Sequence, residues 1–131
     1  MVDESGVNAA EINESASEPS IFTKIMQGDV PADILYQDDD CICIRDIAPK
    51  APTHLLLIPR RQIPRLADAS DADKALLGHL MLKVGDIARQ VGVDEAFRVV
   101  INNGANAGQT VFHLHLHLLA GKFFHESTLG L

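Results

Sequence analysis

The sequence predicts an α+β domain built on a five-stranded antiparallel sheet, with one long helix and one short N-terminal helix. Three observations carry that prediction. Most apolar residues fall into short strand-like runs separated by turn residues; one long stretch changes to helical spacing; and that stretch interrupts the strands between the third and the fourth. At 131 residues, 47% of them hydrophobic, the chain fits one domain. A chain of this length buries roughly two thirds of the surface that its unfolded form exposes, enough for a core without disulfide or metal staples.

Residues 1–19 are rich in Ser, Glu, Asn and Ala without a sustained apolar period, and are expected to be a disordered acidic lead-in to a domain spanning 20–131. Ser20 is placed to cap a short helix, Ile21–Gln27, in which Ile21, Phe22, Ile25 and Met26 repeat at helical spacing before Gly28 stops it. Strand-like runs follow at Ile34–Gln37 and Cys41–Asp46, with Asp38, Asp39 and Asp40 as the hairpin turn between them. His54–Pro59 is almost wholly apolar (Leu55, Leu56, Leu57, Ile58) and reads as a central strand, while Arg60–Ala69 is a connection in which Pro64 blocks regular pairing. Ser70-Asp71-Ala72-Asp73 has the form of a capping box, and behind it Leu77, Leu80, Met81, Val84, Ala88 and Val91 keep helical spacing up to Gly92. Ala96–Asn102 is a fourth strand, Asn103–Gly108 a glycine-rich turn, and Val111–Leu119 a fifth strand.

Charge narrows the function classes. The net charge is −7, but five of the 18 acidic residues lie within the first twenty positions, which hold no Lys or Arg, so thirteen face all eleven cations in the rest. Arg60, Arg61 and Arg65 are the only dense basic group, far from the stripe that a nucleic-acid binder uses to displace counterions. Nucleic-acid binding is disfavoured, and single nucleotides stay open. No apolar run approaches the roughly 18 residues needed to span a bilayer, and the N-terminus lacks the basic and apolar segments of a signal peptide, so a cytoplasmic protein is expected. Cys41 and Cys43 stand two apart on one face of a strand, a poor geometry for a bridge, and read as reduced and buried.

The informative segment is Val111-Phe112-His113-Leu114-His115-Leu116-His117-Leu118-Leu119. On a strand, His113, His115 and His117 share one face and the apolar residues share the other. A merely solvated face normally carries Thr, Lys, Glu or Ser, so three imidazoles in a row call for another reason. Zinc is one, since neutral imidazole is a common ligand, but same-face neighbours sit about 6.7 Å apart and the outer pair about 13 Å apart, too far for one tetrahedral ion. Two of them together with His54 could still hold a metal. The favoured reading is phosphate chemistry, in which imidazoles supply a nucleophile, a proton donor and hydrogen bonds to phosphate oxygens. The turn Asn102–Thr110 adds glycines for close backbone approach and side-chain donors.

His113-Leu114-His115-Leu116-His117-Leu118-Leu119 also resembles the motif, His-φ-His-φ-His-φ-φ with φ hydrophobic, of the histidine triad (HIT) superfamily of nucleotide hydrolases and transferases. Ile21 to Ile25, Asp46 to Pro59, Leu76 to Met81, Asn102 to Gly104 and Gly108 to Gly121 resemble its Hint branch, in register. The resemblance implies a HIT-like fold, a homodimer and a purine nucleoside phosphoramidase needing no cofactor or metal. It implies that His115 is the nucleophile attacking the α-phosphorus, that His117 contacts the phosphate and helps the amine leave, that His113 orients the nucleophile, and that His54 completes the cluster. By the same resemblance Asp46 holds the ribose hydroxyls; Ile47, Ile44, Ile25, Ile21 and Phe22 wall the purine; and Asn102, Gly108, Gln109 and Thr110 surround the phosphate. His79 reads as structural or exposed. Thr110 stands where Ser is common, Ala120-Gly121-Lys122 replaces a frequent Gly-Gly-Arg, and the ending Phe123–Leu131 lacks the family's Trp-Pro-Pro-Gly, so the leaving-group preference is left open. Two alternatives stand beside the phosphoramidase: a dinucleoside polyphosphate hydrolase or nucleotidylyltransferase of another HIT branch, and a nucleotide-binding interaction protein with little catalysis.

Overall fold

A computed structural model describes residues 18–127, so all but the last two residues of the expected lead-in at 1–19, and the last four of the ending at 123–131, lie outside the described residues. The strands are β1 (Ile34–Gln37), β2 (Cys41–Arg45), β3 (Thr53–Pro59), β4 (Phe97–Val100) and β5 (Leu116–Ala120), and the α-helices are α1 (Ile21–Met26) and α2 (Lys74–Gln90). The strands form one antiparallel sheet in the order β1-β2-β3-β5-β4, so the α+β prediction holds.

Two-residue alternation sorts the side chains into two layers. Cys41 and Cys43 on β2, Leu55 and Leu57 on β3, and Leu116, Leu118 and Ala120 on β5 pack under α2 against Leu80, Val84, Ile87 and Ala88. The intervening residues Ile42, Ile44, Leu56 and Ile58 pack against Phe22 and Ile25 of α1. Both cysteines are free and buried, side by side in the α2 layer. The opposite, α1 layer carries His54 on β3 and His117 on β5, because each is next in sequence to a core leucine of the α2 layer, Leu55 and Leu116.

Short polar devices set the element ends. The Ser20 hydroxyl oxygen accepts from the Thr23 amide at 3.1 Å and starts α1. Asp38 takes the Asp40 and Cys41 amides on Oδ1, each at 2.8 Å, closing the β1–β2 hairpin, and the Tyr36 hydroxyl and His79 Nε2 on Oδ2, each at 2.7 Å. Partial desolvation opposes the charge on Asp38, and hydrogen bonds from Tyr36, Asp40, His79 and Cys41 outweigh it, holding the carboxyl well below the ordinary carboxylate range. His79 is therefore structural: it ties α2 to the hairpin. The Ser70–Asp73 capping box forms, with the Ser70 amide donating to Asp73 Oδ2 at 2.9 Å, but it closes a 3₁₀ turn, Asp71–Asp73, that feeds α2. Gly121 has φ +95° and a β-carbon there would lie 2.8 Å from Pro52 Cβ, so this position of the Ala-Gly-Lys ending needs glycine.

The fifth strand differs from the expectation. It begins at Leu116 rather than Val111, and residues 111–115 bend away before it. The cause lies on the neighbouring strand. Ladder pairing between β3 and β5 runs from Thr53–Ala120 to Leu57–Leu116; beyond it Pro59 has no amide to offer, and its carbonyl accepts from the His113 side chain at 2.7 Å. The Leu114 amide meanwhile donates to Ile63 at 2.7 Å. The three histidines therefore do not form a straight row on one face. The fourth strand is also shorter than expected, Phe97–Val100.

Candidate active site

Register explains the first pair of imidazoles. Leu56 faces His117 and His54 faces Leu119 across β3 and β5, which makes His54 and His117 diagonal neighbours on one face. Their facing nitrogens, His54 Nε2 and His117 Nδ1, lie 2.9 Å apart. The bend before β5 brings the second pair together: the rings of His115 and His117 are 5.0 Å apart between centroids, closer than the straight-strand spacing of about 6.7 Å. His113 is turned away from the cavity and fully buried, between the Ser20 hydroxyl at 2.5 Å from Nδ1 and the Pro59 carbonyl at Nε2.

Partners fix the tautomers. A carbonyl only accepts, so His115 Nδ1, 2.7 Å from the His113 oxygen, carries its proton, and the neutral ring has a bare lone pair on Nε2. A backbone amide only donates, so His54 Nδ1, 3.0 Å from the Lys50 nitrogen, is bare and its proton is on Nε2. That proton points at His117 Nδ1, which leaves neutral His117 with its own proton on Nε2. His115 and His117 thus present opposite functions, a lone pair and an N–H.

Burial keeps the cluster neutral. Desolvation is the largest influence on all four rings and pushes His54, His113, His115 and His117 below the ordinary imidazole value. His117, with His115 and His54 beside it, falls to about 4, while the Asp46 carboxylate pulls the other way. Asp46 is oriented by the Ala48 amide, 2.8 Å from Oδ1, and its Oδ2 is 3.4 Å from His54 Nε2. Ligand atoms of Asp46, His54 and His117 lie within 4.8 Å of one another, the one cluster in this site close enough to share a cation among the described residues. There the facing nitrogens of His54 and His117 are already joined by a hydrogen bond.

A cavity of about 330 Å³ opens beside these groups. Ile21, Phe22, Ile25, Ile44 and Leu56 form apolar walls, and Asp46, Thr110, His115 and His117 supply the polar ones. More open hollows occur elsewhere, such as one of about 540 Å³ beside Gly92 and Lys122, but no histidine lines it. Phe22 meets His115 edge-on with centroids 5.0 Å apart, fixing the ring plane. Ile47 borders the cavity only as a rim residue, 100% exposed. Asn102, Gly108 and Gln109 do not line it, nor do His54 and His113. Gln109 is buried because its amide nitrogen donates to the Pro64 and Val111 carbonyls, at 2.7 and 3.0 Å, and its oxygen accepts from the Gly104 amide at 2.8 Å. It braces the loop that presents Thr110 instead of facing a phosphate. Arg45 and Val111 complete the lining, and, like Leu56, neither carries a sequence signal that marks it for the site; Arg45 is paired with Asp33 at 2.8 Å.

The neutral cluster sets a pH dependence. If neutral His115 is needed for reaction, the acid loss of kcat/KM that comes from protonating it should set in only as pH drops through its lowered value, below the ordinary imidazole range, because protonation removes the lone pair. A rate profile against pH, corrected for the substrate's own ionisation, checks this. An acid limb centred above about 6.5 would contradict it.

An antiparallel five-stranded domain with clustered histidines beside a mixed apolar and polar cavity is the architecture of a histidine triad protein. Residues 27–124 match the HIT domain, and the chain belongs to that family. It is 52% identical over 108 residues to an uncharacterized HIT-like protein of Synechocystis sp., covering 82% of this chain and 95% of that one. Among solved structures, it is similar to a HIT family hydrolase from Legionella pneumophila, with a TM-score of 0.80, 38% identity, and coverage of 82% of this chain and 97% of that chain. It is also similar to a histidine triad nucleotide-binding protein from Candida albicans, with a TM-score of 0.69, 28% identity, and coverage of 82% and 84%. Among the described residues no helix is long and apolar enough to cross a membrane.

Proposed function

We propose that this chain is a purine nucleoside phosphoramidase of the Hint branch, cleaving the phosphorus–nitrogen bond of adenosine or guanosine 5′-phosphoramidates. The observation that carries the reading is the opposed pair on one cavity: His115 with Nε2 bare and His117 with Nε2 protonated. His115 Nε2 attacks the α-phosphorus, the P–N bond breaks, and the electron pair leaves on the amine nitrogen, which receives a proton through His117. The bound phosphate's negative charge favours that proton on the His54–His117 pair, so it is taken up with substrate. His115 then carries the nucleotidyl group, its Nδ1–H held by the His113 carbonyl as positive charge develops on the ring. Water then attacks the phosphorus and gives its proton to His117, which lost one to the amine; the bond from phosphorus to His115 Nε2 breaks, the nucleoside monophosphate leaves, and the neutral imidazole is restored. Phe22, Ile25 and Ile44 supply apolar walls for the purine, and Asp46 accepts from the ribose hydroxyls.

The reaction so written uses no metal. AMP release from adenosine 5′-phosphoramidate should continue at full rate in EDTA; loss of turnover in EDTA, restored by zinc, would overturn the reading. AMP binding by a folded protein without any turnover would point to a nucleotide-binding interaction protein, and preferential cleavage of a dinucleoside triphosphate to another HIT branch.

The same reading includes a homodimer through α2 and β4. Support comes from the exposed Met81 and Leu82 on α2, the edge position of β4, and an apolar cavity of about 180 Å³ lined by Leu66, Leu77, Leu80, Met81, Ile101, Leu114 and Leu116.

A further inference from the structure

Ser20 does more than start a helix. It is 8% exposed, and its oxygen accepts from the Thr23 amide, lies 2.5 Å from His113 Nδ1, 93 residues further along the chain, and has the Thr23 hydroxyl at a longer 3.4 Å. The direction of that bond follows from the other side of the ring. His113 Nε2 faces the Pro59 carbonyl at 2.7 Å and must donate, so in the neutral ring Nδ1 must accept, and the Ser20 hydroxyl is the donor. His113 is fully buried, so water does not substitute for the hydroxyl. The same residue's carbonyl holds His115 Nδ1 at 2.7 Å. Two residues beyond Ser20, Phe22 packs edge-on against both rings, with centroids 5.7 Å from His113 and 5.0 Å from His115. The Ser20 amide and the Thr23 hydroxyl both donate to Gln62 Oε1, at 2.9 and 3.1 Å, which anchors this end of α1 to the connection after β3.

We propose that Ser20 is a positioning residue for the phosphoramidase reaction read above, its hydroxyl locking the helix that walls the base pocket to the histidine whose carbonyl aims the nucleophile. The inference rests on that reading for its catalytic consequence and on the Ser20–His113 contact for its structural one. Without the hydroxyl, His113 Nδ1 is a buried acceptor with no donor, and the ring turns or takes a second proton. Either change moves the 113–115 segment and with it the His115 lone pair. Serine and threonine satisfy the arrangement because a hydroxyl both accepts from the helix amide and donates to imidazole; an acidic cap does only the first.

Three variants separate this role from simple capping. Ser20→Ala loses cap and donor; Ser20→Gly loses the donor but caps a helix nearly as well as serine; Ser20→Thr keeps both. The hollow beside Ser20, lined by Glu18, Pro19, Ile21 and Lys24, leaves room for the added methyl. With adenosine 5′-phosphoramidate, kcat should fall about 10- to 100-fold in both Ser20→Ala and Ser20→Gly, as for other small misplacements of a reacting group. Ser20→Thr should recover most of it. In ¹⁵N NMR of histidine-labelled protein, His113 should stay a single neutral tautomer in the wild type as pH passes through the ordinary imidazole value of about 6.5, and should titrate or exchange tautomers in Ser20→Gly. A folded Ser20→Gly with wild-type kcat and an unchanged His113 resonance would reduce Ser20 to a cap, and a Ser20→Thr as slow as Ser20→Ala would also overturn the proposal. If the wild type turns over no phosphoramidate, the phosphoramidase reading fails by itself, and the His113 resonance in Ser20→Gly still decides the lock.

Discussion

His115→Ala is expected to abolish nucleoside monophosphate release while leaving a folded protein that binds AMP. The loss should be at least about 10⁴-fold in kcat, because removing a covalent nucleophile removes the route and not only an interaction along it. The neighbouring groups cannot replace it. His117 points its proton, not a lone pair, into the cavity as long as His54 donates to its Nδ1, and His113 is enclosed between Ser20 and Pro59. The cost in stability is small by comparison. It consists of one hydrogen bond to the His113 carbonyl, worth about 1 kcal/mol, and the ring's contact with Phe22. Turnover of adenosine 5′-phosphoramidate measured beside AMP affinity tests the claim: a variant with a tenth of wild-type activity would show that His115 is not the attacking group.

The largest stability effect is expected at the centre of the sheet. Leu57 on β3 is 2% exposed and stands between Cys43 of β2 and Leu116 of β5 in the layer under α2. Leu57→Ala removes buried methyl groups where strands on both sides are hydrogen-bonded in place and cannot collapse into the gap, so the cost should lie near the middle of the about 2–5 kcal/mol range for such truncations. For a domain of this size that lowers the thermal midpoint by about 10 °C. The site faces the other layer, so kcat at a temperature where the variant is folded should change little. Calorimetry and kinetics on one preparation would check both halves, and a midpoint within about 2 °C of wild type would contradict the packing account.

Most of the architecture was legible because its signals are local. The alternation in Cys41-Ile42-Cys43-Ile44 and the helical spacing from Leu77 to Val91 each report a face directly. Residues Val111 to His115 alternate as regularly as any strand, yet they bend, since what ends the ladder is a proline on another strand and a carbonyl that prefers the His113 ring. The clustering of histidines could be read from the sequence, and their inequality could not. His113 is consumed by Ser20 and Pro59, partners 93 and 54 positions away. Gln109 shows the same limit: an amide beside a glycine-rich turn resembles a phosphate donor until its three backbone partners are known. Ile47 is apolar like Ile25 and Ile44, and nothing in its identity says that it lies at the rim.

The proposed reaction stands or falls on a bond between phosphorus and His115 Nε2. Mixing the protein with adenosine 5′-phosphoramidate, quenching in alkaline denaturant during the first turnovers and mapping the peptides by mass tests it directly. A nucleotidyl adduct is expected on the peptide containing His115, localised to that residue and absent in His115→Ala. Full AMP production with no adduct at any histidine, and inversion of configuration at a chiral phosphorus, would show direct attack by water and contradict it.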